Sequence, residues 1–410
     1  MFLCIDMKCF FASVECAERG LNPMTTPLVV ADETRGSGAL CLAVSPYLKQ
    51  MGVRNRGRLY KIPKNISYII AKPRMKKYMD YAVLIHRIFL RYVAAEDIHT
   101  YSIDEAFLNI EPYLHLYNSA SELGYRIMED IQSELGIIAT CGAGDNLYLA
   151  KLSLDLLAKK KPPYYHYLSL DEFYKTIWHH KNLKDIWQIG FGLSKRLHQL
   201  GAYTLHDIAM MDVGVLQKEF GVIGLDLYEH AWGIDNTSIE EIKKYEPISK
   251  SFSRNQILFR DYTKEEAWTP LIEMLFLVCM DLVSKNMMVR HISFYIGYSK
   301  HIMDSYHKTF TLDFFTDDYF EIKSELQKEY EKVKVGPIRR IGISLSGIID
   351  KNKGQNTLFY EQNEKYERLT QSIQDIWQKH GKNYLVIGSA IREESTLYQR
   401  NHQIGGHNSE

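Results

Sequence analysis

The chain has 410 residues, 46% of them hydrophobic, and its 50 Lys+Arg balance its 50 Asp+Glu to a formal net charge of +0. That length is too great for one simple core and suggests two to four domains. Neutrality counts against binding nucleic acid by bulk basicity, though not by local patches. The richest apolar run, Leu271 to Val283, is too short to span a bilayer and is broken by Glu273 and Asp281.

Phe2 to Ile5 reads as a buried strand, and Asp6 ends it. An aspartate at the end of an apolar strand is costly unless it binds something. Cys9 to Glu18 reads as a helix. The stretch from Leu21 to Tyr78 holds Pro27, Pro46, Pro63 and Pro73 and reads as a small, irregular insert. Asp80 to Tyr92 has helical spacing, with Val83, Leu84, Arg87 and Ile88 on successive turns. His99 to Ile110 is a hairpin candidate with Ile103-Asp104-Glu105 at its bend. Helices over Ser121 to Leu135 and Asn146 to Lys159 flank a strand at Ile137 to Cys141, an order compatible with a ferredoxin-like sheet.

Short helices with glycine breaks fill Tyr167 to Gly233. Ile189-Gly190-Phe191-Gly192, followed by Lys195 and Arg196, reads either as a helix-hairpin-helix whose amides hold a phosphate or as a plain helical hairpin. Asp235 to Glu246 reads as a polar linker. A second β-α-β-β-α-β order follows, from Ile248 to Ile348, with alternation at Ile292, Phe294, Ile296 and Tyr298. The tail from Asp350 is expected to be partly mobile. Basic clusters at Lys72 to Lys77, at Lys159 to Lys161 and at Arg339-Arg340 read as nucleic-acid contacts or as solvated faces. Cys4, Cys9, Cys16, Cys41, Cys141 and Cys279 show no C-x-x-C pair, and no signal peptide precedes the first strand. A reducing cytoplasm with free thiols is the expectation.

The chemistry concentrates in Asp6, Asp104 and Glu105. Three carboxylates brought together repel each other, and a magnesium pair would remove that repulsion and serve phosphoryl displacement. Strand-end capping and surface charge are the alternative.

Asp6-Met7-Lys8-Cys9-Phe10-Phe11-Ala12-Ser13-Val14-Glu15 resembles the first motif of Y-family translesion DNA polymerases. Ser102-Ile103-Asp104-Glu105-Ala106-Phe107 resembles their second. The motifs stand in the family's order, and the resemblance covers nearly the whole chain. Leu397-Tyr398-Gln399-Arg400-Asn401 and Ile404-Gly405-Gly406-His407 are similar to the branch found in Gram-positive bacteria and their mobile elements.

The resemblance implies an α+β, multidomain right-hand polymerase. A ferredoxin-like palm would span 1–20 and 79–166, small fingers 21–78, and a helix-hairpin-helix thumb 167–234. A linker at 235–246, a βαββαβ little finger at 247–350 and a tail at 351–410 would follow. Asp6, Asp104 and Glu105, with the carbonyl of Met7, would hold two Mg2+ ions. Primer-template DNA and a dNTP would be the substrates. Phe11 would be the steric gate against ribonucleotides, unless it is a core aromatic and Phe10 serves instead. Gly38, Cys41 and Ala43 would lie over the templating base, and Tyr47 and Lys159 would reach the triphosphate. The family's arginine three residues after that tyrosine is Gln50 here, with Arg54 or Arg56 as replacements. Gly190, Gly192, Lys195, Arg339 and Arg340 would contact DNA. Gln355-Asn356-Thr357-Leu358-Phe359 resembles a sliding-clamp pentapeptide, anchored by Gln355, Leu358 and Phe359. The implied enzyme is a cytoplasmic monomer that does not bind membrane. A palm-type nucleotide cyclase and a non-catalytic, clamp-tethered DNA-binding relative are the competing readings.

Overall fold

The computed structural model describes residues 1–247, 249–299, 302–353 and 364–410. Its contacts divide the chain into two units, Met1–Tyr245 with Asn408–Glu410, and Glu246–His407.

The first unit opens with β1 (Phe2–Met7) and α1 (Phe10–Ala17). The insert holds β2 (Leu28–Val30), β3 (Ala43–Val44), α2 (Pro46–Gln50) and β4 (Ile69–Ala71). Its strands form a sheet in the order β3-β2-β4, so the insert is more regular than its prolines suggest. Then come α3 (Met75–Phe89), β5 (Ile98–Thr100), β6 (Glu105–Asn109), α4 (Ala120–Leu135), β7 (Ala139–Gly144), α5 (Leu147–Leu152) and β8 (Tyr165–Leu168). The main sheet runs β5-β6-β1-β7-β8. Its first four strands have the ferredoxin-like order, with β8 added parallel to β7.

Alternation along β1 decides what each face does. Leu3, Ile5 and Met7 face one way and join a core with α1, α3 and α4. Cys4 and Asp6 face the other way, where Cys4 packs with Phe107, Leu147, Ala150 and Leu154. The α3 helix begins at Met75, not Asp80, and buries Tyr78, Ile85, Ile88 and Phe89. Val83 and Leu84 are exposed, so the apolar stripe is rotated by about a third of a turn from the expected one and shares only Ile88 with it.

Six helical segments complete this unit: α6 (Leu170–Thr176), α7 (Phe191–Gln199), α8 (Leu205–Ala209), α9 (Val213–Phe220), α10 (Val222–Ala231) and α11 (Ile239–Lys244). The last lies in the stretch expected to be a plain linker. Ser238 and Glu241 close a capping box on it, and Ile239 is buried against Cys4, Phe107 and Leu147.

The second unit holds β9 (Ser251–Tyr262), α12 (Lys264–Ser284), β10 (Met287–Tyr298), β11 (Tyr306–Thr316), α13 (Tyr319–Tyr330) and β12 (Ile338–Ser346). The antiparallel order is β11-β10-β12-β9. Ile292, Phe294, Ile296, Ile341, Ile343 and Leu345 meet the helices, as the alternation predicts. By length and composition α12 could cross a membrane, but 78% of its apolar window is buried inside the fold.

The tail is not loose over its described part. Helices α14 (Glu364–His380) and α15 (Leu397–Asn401) bury Tyr366, Ile373, Trp377 and Leu397 in the second unit's core. Arg400 bonds Gln256 at 2.9 Å and lies 3.5 Å from the buried Glu273. The Gram-positive-like motif therefore has a structural partner in β9 and α12.

Candidate active site

The antiparallel register of β1 and β6 sets Asp6 directly opposite Glu105. Both lie on the sheet face that α1, α3 and α4 leave free. Asp104 is the last residue of the turn before β6. Its carboxylate accepts a hydrogen bond from Ser102 Oγ at 2.8 Å, and its carbonyl accepts one from the Met7 amide at 2.9 Å. That backbone bond ties the two carboxylate-bearing segments together, and Tyr101 and Ser102 amides both donate to the Glu105 carbonyl.

Gly142 and Gly144 on β7 let a third element reach this face. A Cβ on Gly142 would fall 2.2 Å from Leu154 N, and one on Gly144 2.5 Å from Ala150 N. Only glycine lets the α5 backbone lie so close to the sheet. Beyond α5 the chain widens into a π turn at Ser153–Leu157 and a 3-10 turn at Ala158–Lys160, where one continuous helix was expected. The result is a row of alternating charge, Lys151, Asp155 and Lys159, laid beside the carboxylates.

Lys151 Nζ stands 2.5 Å from Glu105 Oε1 and 3.0 Å from Asp155, with both partners of the first pair almost fully buried. Cys4 Sγ donates to the same Glu105 oxygen at 3.2 Å. Lys159 Nζ stands 3.2 Å from Asp6 and 2.8 Å from Asp155. Lys8 Nζ donates to the Lys159 carbonyl at 3.2 Å and lies 4.1 Å over the Tyr164 ring. Burial pushes the Asp6 carboxyl up to about 6; Lys159 opposes the shift, and Asp104 and Glu105 add to it. Burial alone would lower Lys159 and Lys151, but Asp6 and Asp155 around the first, and Cys4, Glu105 and Asp155 around the second, hold both above their ordinary value.

Among the described residues no three His, Cys, Asp or Glu side chains are gathered tightly enough to hold a metal ion. The expected convergence of all three carboxylates is therefore incomplete: Asp6 and Glu105 are neighbours, but Glu105 is engaged by Lys151. The donor set still fits a hard divalent cation. All its atoms are oxygens, and the Asp104 and Glu105 charges both act on the Asp6 carboxyl.

Around this centre the other expected residues divide. Phe11 is half-buried and stacks on Tyr78 at 4.4 Å and 14°. Phe10 is only 2% exposed and belongs to the core, which leaves Phe11 as the accessible ring of the pair. Cys41 and Ala43 lie in the insert's core. Both are buried, whereas Leu40 and Leu42 are half-exposed, because neighbours in an extended segment face opposite ways. Gly38 is exposed with nothing near a Cβ. Tyr47 sits half-buried in the first turn of α2, which Ser45 caps. Gln50, Arg54 and Arg56 are exposed. Sequence reasoning missed Lys49, whose charge acts on both Cys9 and Lys8.

Gly190 caps α7 without a side chain, Gly192 follows within the helix, and a Cβ on either would meet nothing. Lys195 is exposed, while Arg196 pairs with Glu219 at 2.9 Å. In the second unit Arg340 is exposed opposite Gly297 and Ile257 on the sheet face away from the helices. Arg339 lies 3.6 Å from Asp261, so its charge is partly answered. Gln355, Leu358 and Phe359 lie outside the described residues.

The ferredoxin-like sheet of the first unit and its carboxylate centre define a class, and comparison with known proteins agrees. The model of the impB/mucB/samB family matches residues 5–155, and that of the family's C-terminal domain matches 249–358. The chain belongs to this family, and it is a Y-family DNA polymerase with the divalent-metal dependence general to that fold. It is 34% identical to UvrX, a Bacillus subtilis protein named for UV-damage repair, over 99% of this chain and 97% of that one. It is 26% identical to DNA polymerase IV 2 of Bacillus subtilis over 98% and 97% of the two chains. A Y-family polymerase chimera, Dbh-Dpo4(243-245)-Dbh, has the same fold at a TM-score of 0.64 and 22% identity, covering 85% of this chain and 99% of that one.

Proposed function

We propose that this polymerase adds nucleotides opposite damaged template bases, at a centre formed by Asp6, Asp104 and Glu105. The observation that carries the reading is the cross-strand pairing of Asp6 with Glu105, with Asp104 at the adjoining bend. The primer 3′-oxygen bonds to the α-phosphorus of a dNTP, the α–β bridging bond breaks, and pyrophosphate leaves. Two Mg2+ ions, when bound, supply charge stabilisation to the attacking and leaving oxygens.

The chain's own residues position and neutralise. Asp6 and Asp104 present oxygens at the strand end, with the Met7 backbone beside them. Lys151 pairs with Glu105 and holds that carboxylate in place at the strand start. Lys159, poised on Asp6, moves to the triphosphate, where Tyr47 donates a hydrogen bond and Lys49 supplies the charge that Gln50 lacks. Phe11, braced by Tyr78, excludes a 2′-hydroxyl. Gly38 and the outward faces of Leu40 and Leu42 leave room at the templating base, and weak shape contact there admits lesions and mispairs alike.

In domain terms, the main sheet is the palm, the insert the fingers, the helices around α7 to α10 the thumb, and the second unit's sheet the little finger. The amides at the start of α7 bind a primer-template phosphate, with Lys195 beside them. Arg340 contacts the backbone from the open sheet face. Gln355, Leu358 and Phe359 anchor a sliding clamp, and the enzyme works as a cytoplasmic monomer.

Primer extension across an abasic site tests this. Wild type should insert and extend, and Asp104→Ala should bind the same DNA without extending it. Failure of wild type to pass the lesion while copying an undamaged template would overturn the lesion-bypass reading. A cyclase would form product from a nucleotide without any primer.

A further inference from the structure

Behind Phe11 the two helices α1 and α3 face each other through a pair of residues each. Phe11 and Glu15 stand one turn apart on α1, so they share one side of it. Tyr78 lies in the first turn of α3, and Arg74 is that helix's N-cap residue, four positions earlier. Tyr78 therefore touches α1 at two points. Its ring stacks on Phe11 at 4.4 Å and 14°, and its hydroxyl donates to Glu15 Oε1 at 2.8 Å. A ring held at its face and at its far end can neither slide nor tip.

Glu15 is itself fixed. Arg74 Nε donates to Glu15 Oε1 at 3.0 Å and Arg74 Nη2 donates to Oε2 at 2.8 Å, a bidentate pair, and Arg19 donates to Oε2 from one turn along α1. Burial alone would push the Glu15 carboxyl up, but Arg74, Arg19 and Tyr78 hold it below its ordinary value. Burial raises the Tyr78 hydroxyl above its ordinary range, so it stays a donor. Glu15 and Tyr78 are both 0% exposed, whereas Phe11 is half-buried. The link thus runs from a shielded, fully bonded carboxylate to a ring with one open side. A buried ion pair adds little stability over an apolar contact of the same volume. What it adds here is direction, since an apolar contact would leave the Tyr78 ring free to shift along Phe11.

We propose that Glu15, oriented by Arg74, is a positioning residue for sugar discrimination: it fixes the Tyr78 hydroxyl, and the Tyr78 ring in turn fixes the height of Phe11 against the nucleotide sugar. This rests on the reading of Phe11 as the gate. Exclusion of a single hydroxyl is a matter of close contact, and a displacement of about 1 Å is enough to open one. Phe11 alone, open on one side, has no means of resisting that displacement; the charged link behind Tyr78 supplies it.

Single-nucleotide incorporation on an undamaged primer-template tests this, read as the ratio of ribonucleotide to deoxynucleotide kcat/KM. Tyr78→Phe keeps the ring and loses the link, and should raise the ratio about three- to tenfold, the worth of one hydrogen bond. Glu15→Gln should raise it at least as far. Added to Tyr78→Phe, Glu15→Gln should contribute less than about twofold more, because both changes break the same link. Ile208→Val thins a separate core of the same unit, and should leave the ratio at its wild-type value, which separates positioning from general loosening. A wild-type ratio in Tyr78→Phe, or in folded Glu15→Gln, overturns the proposal, and the first result stands even if Glu15→Gln does not fold. So does a ratio in Ile208→Val that rises as far as in Tyr78→Phe, or a full further rise when Glu15→Gln is added. Phe11→Ala in the same assay keeps the two readings apart. If it leaves the ratio unchanged, the gate reading fails and this one with it. If it raises the ratio while Tyr78→Phe does not, the gate stands and the positioning role alone falls.

Discussion

Lys151 Nζ and Glu105 Oε1 meet at 2.5 Å beneath the sheet, with only 6% and 8% of their side chains exposed. A buried ion pair adds little over an apolar pair, but breaking one leaves a bare charge, at a cost of about 3–5 kcal/mol. Lys151→Met should therefore lower stability by about that much and abolish extension. The Lys151→Met/Glu105→Gln double variant should recover most of the stability but none of the activity. Urea denaturation and primer extension on the same samples check both; a stability loss in the double variant as large as in the single one would refute the pairing.

Asp6 carries a pH signature. Its folded carboxyl is raised from 3.8 to about 6, chiefly by burial. Between those values the folded chain holds a proton that the unfolded chain has released. Stability from this group therefore falls as pH rises through the window, by about 3 kcal/mol at most, and stays lost above it. In metal-free buffer, wild type should lose stability relative to Asp6→Asn between pH 4 and pH 7. Denaturation curves that run parallel across that range would contradict the shift. Saturating Mg2+ should reverse the loss above pH 6.

Phe11→Ala should admit ribonucleotides, because the Tyr78 ring 4.4 Å behind it braces the side chain at the sheet's open end. A gain of about 10- to 200-fold in ribonucleotide use relative to deoxynucleotide use is expected. Single-nucleotide incorporation measures it, and an unchanged ratio rules out the gate. The same substitution at Phe10 should instead unfold the core, by about 3–5 kcal/mol.

The clamp motif must be tested by point substitution. Deleting everything from Gln355 onward would strip Tyr366, Ile373 and Trp377 from the second unit's core and so unfold it. Leu358→Ala/Phe359→Ala should leave the melting temperature and distributive synthesis unchanged while lowering clamp-stimulated synthesis about tenfold or more. Equal stimulation of variant and wild type would exclude docking through this motif.

The pairing of the strands that carry Asp6 and Glu105 was legible because an apolar run ending in Asp6 and a hairpin bending at Asp104 each carry a local signal. Lys151 went unseen, although Lys151, Asp155 and Lys159 repeat every four residues along the helical run and could have marked one charged face. The π turn that brings them into line has no sequence signature. Helix α11 was signalled by Ser238 and Glu241 at capping-box spacing, but the polar composition around them read as linker. Which of residues 40–43 point outward could not be read from their composition, since one step along an extended chain reverses the face, and the structure buries Cys41 and Ala43 while leaving Leu40 and Leu42 half-exposed. The tail's packing depends on contacts such as Arg400 with Gln256, 144 residues apart, and no local pattern reports a contact of that range.

The central claim is that Asp6, Asp104 and Glu105 together hold the catalytic cations. Electron paramagnetic resonance titration with Mn2+, on enzyme bound to a dideoxy-terminated primer-template and dNTP, addresses it directly. Wild type should take up two ions per complex, and Asp6→Asn or Glu105→Gln should each lose at least one while still binding DNA. The same Mn2+ stoichiometry and affinity in wild type and both variants would contradict the account.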